Sequence, residues 1–174
     1  MSRTISIFSF FLFLILFSSC YKETVDYNQK ANEVIQQLIL DESCGCILEI
    51  PKESIIEMNS ILYPQRDTRK QLMEKLHLRD RKELDSIEIL SKNFILDSVF
   101  LKQNHIIVVP LDSLKVLANN PNFCTKGILC IRKPWFNKEY KKAVVDYGHA
   151  YICSSYAWAN YEFENGKWKL QKPR

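Results

Sequence analysis

The chain is 174 residues long, 47% hydrophobic, 25% charged and 12% aromatic, with a formal net charge of +4. That length suits one ordinary domain, and the composition excludes a collagen-like, disordered or polytopic membrane protein. Residues 1–19 hold one Arg and no acidic residue, so the rest of the chain carries 23 basic against 20 acidic groups, too small an excess to argue for nucleic acid.

Arg3 precedes an apolar run over residues 5–17 that only Ser6 and Ser9 interrupt, and Ser18, Ser19 and Cys20 follow. A basic start, an apolar core and small residues before a cut form a secretory signal. The run is shorter than the roughly 20 residues a bilayer core requires, and a polar stretch follows at once. Leu16-Phe17-Ser18-Ser19-Cys20 resembles the lipobox of bacterial lipoproteins, with Phe17 where Leu is usual. The resemblance implies removal of residues 1–19 and a Cys20 that carries a thioether-linked diacylglycerol and an N-acyl chain. Several acyl chains anchor stably where one would be marginal. Tyr21, not an acidic residue, follows the cysteine, which favours the outer membrane over the inner. The expected layout is a signal peptide at 1–19, a lipidated tether at 20–26 and a single α+β domain at 27–174.

Residues 24–40 place Ala31, Val34, Ile35, Leu38 and Ile39 at helical spacing, which predicts a first helix with one buried stripe. Residues 46–50 form a short apolar run that Pro51 stops, either a brief strand or a connector. No element is assigned from there through Tyr63. Pro64 introduces a second helical region, with Asp67 or Thr68 as its cap and Leu72, Met73 and Leu76 on one side, and His77 near its end. Asp80, three residues before Glu83, has the spacing of a capping box and opens a third helix through Leu84, Ile87 and Leu90. Residues 105–110 read as a buried strand, and Asp112 as the cap of a short helix that Asn119-Asn120-Pro121 breaks.

From Gly127 the pattern turns to strands at 127–133, 142–153, 156–164 and 167–171, an antiparallel meander. Asn165-Gly166 is the strongest turn signal in the chain. A two-residue loop there pairs Glu164 with Lys167, Phe163 with Trp168, Glu162 with Lys169 and Tyr161 with Leu170, matching charge to charge and apolar to apolar. The fold class is therefore α+β, with N-terminal helices packed on a C-terminal antiparallel sheet.

No motif specifies a reaction. Beyond Cys20 there are five cysteines, at 44, 46, 124, 130 and 153. In the oxidising compartment that a signal sequence implies, disulfides are the default, and an odd count leaves one thiol over. Cys124 with Cys130 is the first choice, since residues 125–127 can turn the chain between them; a bridge to Cys153 competes because it closes a longer loop. Cys44-Gly45-Cys46 lacks the spacing of a redox or zinc pair, although His149 and Cys153 complete a ligand set on paper. Asp146, His149 and Ser154 or Ser155 suggest a hydrolytic triad, but strand alternation points Asp146 and His149 apart unless Gly148 marks a bulge. No cofactor is expected.

Arg132, Trp135, Lys138 and Tyr140 belong to a basic-aromatic segment suited to an anionic glycan, a lipid head group or a partner protein. The last 45 or so residues, with Phe136-Asn137-Lys138, Ala143-Val144-Val145 and Asn165-Gly166-Lys167-Trp168, resemble uncharacterised small lipoproteins of Gram-negative bacteria. That resemblance implies architecture and no active residues. The expectation is an envelope lipoprotein anchored through Cys20, with a non-catalytic binding or scaffolding domain for an envelope protein or glycan and no nucleic-acid role. An envelope enzyme, hydrolytic or thiol-dependent, and an immunity or inhibitor lipoprotein are the alternatives.

Overall fold

The computed structural model describes residues 26–117, 123–150 and 157–171. Expectations that rest on the signal segment, Cys20, Asn119 to Pro121, Cys153, Ser154 and Ser155 lie outside the described residues.

Helix α1 spans Tyr27–Glu42. Asp26 caps it by accepting the Asn28 N–H, and Ser43 ends it in the left-handed region at φ 49°. The expected stripe of Ala31, Val34, Ile35, Leu38 and Ile39 is fully withdrawn from water. Each buried branched side chain contributes roughly 1.5–3 kcal/mol of transfer free energy, which is why so polar a helix stays docked.

Strand β1 (Cys46–Leu48) follows, then helices α2 (Ile55–Leu62), α3 (Thr68–Leu76), α4 (Arg81–Ser91) and α5 (Ser98–Gln103). Asp67 caps α3 through the Lys70 N–H, and His77 closes it in the left-handed region. Asp80 caps α4 through the Glu83 N–H, but Glu83 reaches back to the Arg79 N–H and not to Asp80, so the box is only half formed. The full capping box is at α2. There Ser54 accepts the Glu57 N–H and the Glu57 carboxylate accepts the Ser54 N–H at 2.7 Å.

Strand β2 (Ile107–Val109) leads into a 3-10 turn at Leu111–Ser113 and the short helix α6 (Leu114–Leu117). Asp112, expected as a cap, lies inside the 3-10 turn; Pro110 sits at the N-cap position of that turn with no side-chain hydrogen bond, and its ring sets the backbone angle that starts it. Strands β3 (Ile128–Ile131), β4 (Trp135–Phe136), β5 (Lys142–Ala150), β6 (Ala157–Glu164) and β7 (Lys167–Gln171) complete the sheet.

The strand order is β2-β1-β3-β5-β6-β7, with β4 on β5. The sheet is mixed and not wholly antiparallel: β1 runs parallel to both β2 and β3, while β3, β5, β6 and β7 pair antiparallel as expected and the short β4, which the sequence reading did not assign, pairs antiparallel with β5. The parallel pairing has a chain-length cause. Strands β1 and β2 are separated by four helices, the long crossover that parallel neighbours require and a hairpin cannot supply.

Alternation along β1 and β3 divides two clusters. Ile47, Leu129 and Ile131 join the main core with α1, Leu72, Leu76, Leu84 and Phe136. Cys46, Leu48, Ile128 and Cys130 join Val109 in a smaller one, against which Leu114 and Cys124 pack.

Candidate functional site

The four residues expected to form a ligand surface do not meet at one. Trp135 and Phe136 pair with Val144 and Ala143 and are buried in the main core. The turn after β4 is drawn tight by Asn137, whose side-chain oxygen accepts the N–H groups of Lys141 and Lys142. Tyr140, at φ 51°, lays its ring on Phe136 with centroids 5.1 Å apart. Arg132 turns inward to Asp146, Nε to Oδ2 3.8 Å, and also donates to Met58 Sδ. Of the four, only Lys138 is exposed.

Asp146 and His149 go to different partners. Asp146 faces Arg132, whereas His149 Nε2 lies 3.6 Å from Glu42 Oε2 at the end of α1. Pairing of β3 with β5 runs unbroken from Ile131 opposite Tyr147 to Ile128 opposite Ala150, so Gly148 marks no bulge and parity holds. Burial pushes the Asp146 carboxyl up to about 6, outweighing the opposing pull of Arg132, Arg66 and the Trp158 hydrogen bond.

Cys124 bonds to Cys46, not to Cys130. Ile47 lies opposite Leu129, which brings β1 beside the turn that enters β3; Gly127, at φ 82°, makes that turn. Cys124 is thereby presented to Cys46, while Cys130 is carried on into the strand and buried. The bridge spans 78 residues against the six expected, a far larger constraint on the unfolded chain. The Cys44 thiol is buried and donates to the carbonyls of Cys46, at 3.0 Å, and Gly127, at 3.5 Å. Among the described residues no three of His, Cys, Asp and Glu converge as metal ligands.

Three lysines share one cleft that the sequence reading did not assemble, although Lys133 belongs to the basic-aromatic segment. Lys52, Lys92 and Lys133 line a cleft of about 460 Å³ with Glu53 and Glu57, backed by Ile50, Pro51 and Phe94. Local sequence explains how each arrives. Pro51 ends the β1 run, and the capping box at Ser54 then fixes the chain that carries Lys52 and Glu53. Lys92 is the C-cap of α4, and Phe94 donates its N–H to the Ser91 carbonyl. Lys133 precedes Pro134, which biases it to extended backbone in the link from β3 to β4.

Lys133 is the unusual member, because its residue is only 8% exposed. Its ammonium donates to the Lys52 carbonyl at 2.6 Å. Burial pulls its pKa below the ordinary lysine value, while Glu57 and then Glu53 oppose that shift. The frame around the cleft is braced: Ser54 Oγ donates to Glu88, and Arg69 bridges Asp85 and Glu88 at 2.7 and 3.0 Å.

A wider cleft of about 550 Å³ lies between α3 and α4, lined by Asp67, Arg69, Lys70 and Arg81 among others. There Arg69 is already committed to its two carboxylates. The Lys133 cleft therefore holds the better claim to recognition chemistry.

The signal for this site was legible in part. Ser54-x-x-Glu57 has capping-box spacing and announces α2, whereas the approach of Lys52, Lys92 and Lys133 depends on tertiary packing. No protein-family model matches the chain, and no curated protein or solved structure matches it either.

Proposed function

We propose that this chain is a lipoprotein of the bacterial envelope, held to the membrane by acyl chains on Cys20, whose α+β domain binds an envelope protein or glycan without transforming it. The outer membrane is the favoured site. What supports the reading is the sequence Leu16-Phe17-Ser18-Ser19-Cys20, and the domain begins at Tyr27, seven residues beyond that cysteine. The Tyr27 hydroxyl donates to the Pro134 carbonyl at 2.8 Å and its ring meets Phe136 edge-on at 5.6 Å.

The domain is thus clamped to its sheet from the first residue of α1. Seven residues span at most about 25 Å, so an anchor at Cys20 would hold the domain against the lipid surface and not on a long stalk. The basic cleft supports binding as the domain's role, since it gathers cations around a concave space. Phase separation in a cloud-point detergent tests the reading. The native product is expected in the detergent phase and a Cys20→Ala variant in the aqueous phase; wild-type protein in the aqueous phase would overturn it.

A further inference from the structure

We infer that the cleft of Lys52, Lys92 and Lys133 is a receptor for a phosphoryl group, carried either by a lipid head group or by a soluble phosphate ester. The inference rests on the binding-domain reading above and names the ligand chemistry of that domain.

Three features of the cleft select this ligand. First, three lysines line one concave space, and lysine serves phosphate as a compact point charge. Second, Lys133 is the least exposed of the three lysines. Lys133 is nine-tenths buried and has three donors, of which one is spent on the Lys52 carbonyl. Burial pulls its pKa down while Glu57 and Glu53 oppose the shift, and a bound anion would favour the charged form further. Third, Ile50, Pro51 and Phe94 form an apolar wall against which the carbon part of an ester can lie.

Two carboxylates share the cleft and must be reckoned with. Glu57 accepts the Ser54 N–H at 2.7 Å and is held by the helix cap, and Glu53 is solvated at the rim. The formal balance of the cleft remains positive, with three lysines against two glutamates.

The cleft also opens beside the start of α1. Phe94 lines it, and the next residue, Ile95, donates its N–H to Asn28 Oδ1 at 2.7 Å. On the other side, Lys133 precedes Pro134, the residue on which Tyr27 is fastened. A domain anchored through Cys20 would therefore present this cleft close to lipid phosphates, and equally to soluble esters near the membrane.

The test titrates the native full-length product, in a neutral detergent at fixed ionic strength, with inorganic phosphate and with glycerol 3-phosphate by calorimetry. Saturable one-to-one binding is expected. Lys133→Met and the exposed Lys92→Gln should each weaken it about tenfold, the scale of one lost charged hydrogen bond. Lys138→Gln, at a residue that does not line the cleft, should leave it unchanged. Lys92→Gln keeps the inference falsifiable if Lys133→Met fails to fold.

Reconstitution into phosphatidylcholine vesicles, with and without phosphatidylglycerol, separates the two sources. A fall in glycerol 3-phosphate affinity with the anionic lipid identifies the head group; equal affinity identifies the soluble ester. Absence of saturable binding, or equal binding by wild type and both lysine variants, overturns the inference. Flotation of the chain with the vesicles reports the anchor independently, so loss of phosphate binding with retained flotation leaves the lipoprotein reading standing.

Discussion

Arg132, just past the end of β3, faces Asp146 on β5, Nε to Oδ2 3.8 Å, with side chains only 12% and 9% exposed. The pair is loose, and burial wins: the Asp146 carboxyl is raised from 3.8 to about 6. Below pH 4 the group is protonated in both folded and unfolded chains. Between about pH 4 and 6 the folded chain keeps a proton that the unfolded chain has released, so this group's contribution to stability falls as pH rises through that window. The gap between the two pKa values corresponds to at most about 3 kcal/mol.

Asp146→Asn should therefore gain stability relative to wild type between pH 4 and pH 7, by up to about 3 kcal/mol. Urea unfolding at both pH values checks it. The variant loses the carboxylate at either pH, so the pH-dependent part isolates the buried ionisation. A difference that stays constant with pH would show that Asp146 titrates normally.

Cys46–Cys124 closes a loop of 78 residues in sequence and ties the segment before β3 to β1. Chain entropy assigns such a loop about 4.5 kcal/mol. Cys124→Ser should lower stability on that scale, and non-reduced peptide mapping should recover the Cys46–Cys124 peptide pair. Recovery of Cys124 joined to Cys130 would contradict the strand arrangement.

Asn165 and Gly166 both adopt positive φ, 52° and 79°, and a methyl group added at Gly166 would meet open space. Backbone strain alone is then at stake. Gly166→Ala should cost about 1 kcal/mol in thermal or urea unfolding, with the sheet otherwise intact.

How much of this was legible follows from the range over which each feature is decided. The β6–β7 register was readable to the residue, Phe163 opposite Trp168 and Glu162 opposite Lys169, because a two-residue turn sets it locally. The buried stripe of α1 was readable because it repeats over four turns. Strands β1 and β2 are three residues each, too short to show a period, and their parallel pairing is decided by the helices between them. The partner of Cys124 and the meeting of Lys52, Lys92 and Lys133 likewise join segments far apart in the chain. Trp135 shows the limit in reverse: a basic-aromatic run that looks like a surface sends its largest side chain inward, because the apolar area gained exceeds what an exposed ring retains.

Ser54 is buried, caps α2 through the Glu57 N–H and donates to Glu88 Oε1 at 3.0 Å. Ser54→Ala should destabilise the domain by about 1–2 kcal/mol. Since the same capping box frames the lysine cleft, phosphate affinity should fall with it. Unchanged stability would mean that the box contributes nothing to the frame.

The most direct test of the lipoprotein account is the intact mass of the product isolated from membranes of a Gram-negative host. The account predicts a chain that begins at Cys20, heavier than its polypeptide by a diacylglyceryl group and one further acyl chain. A product that retains residues 1–19, or one with an unmodified cysteine at position 20, would contradict it.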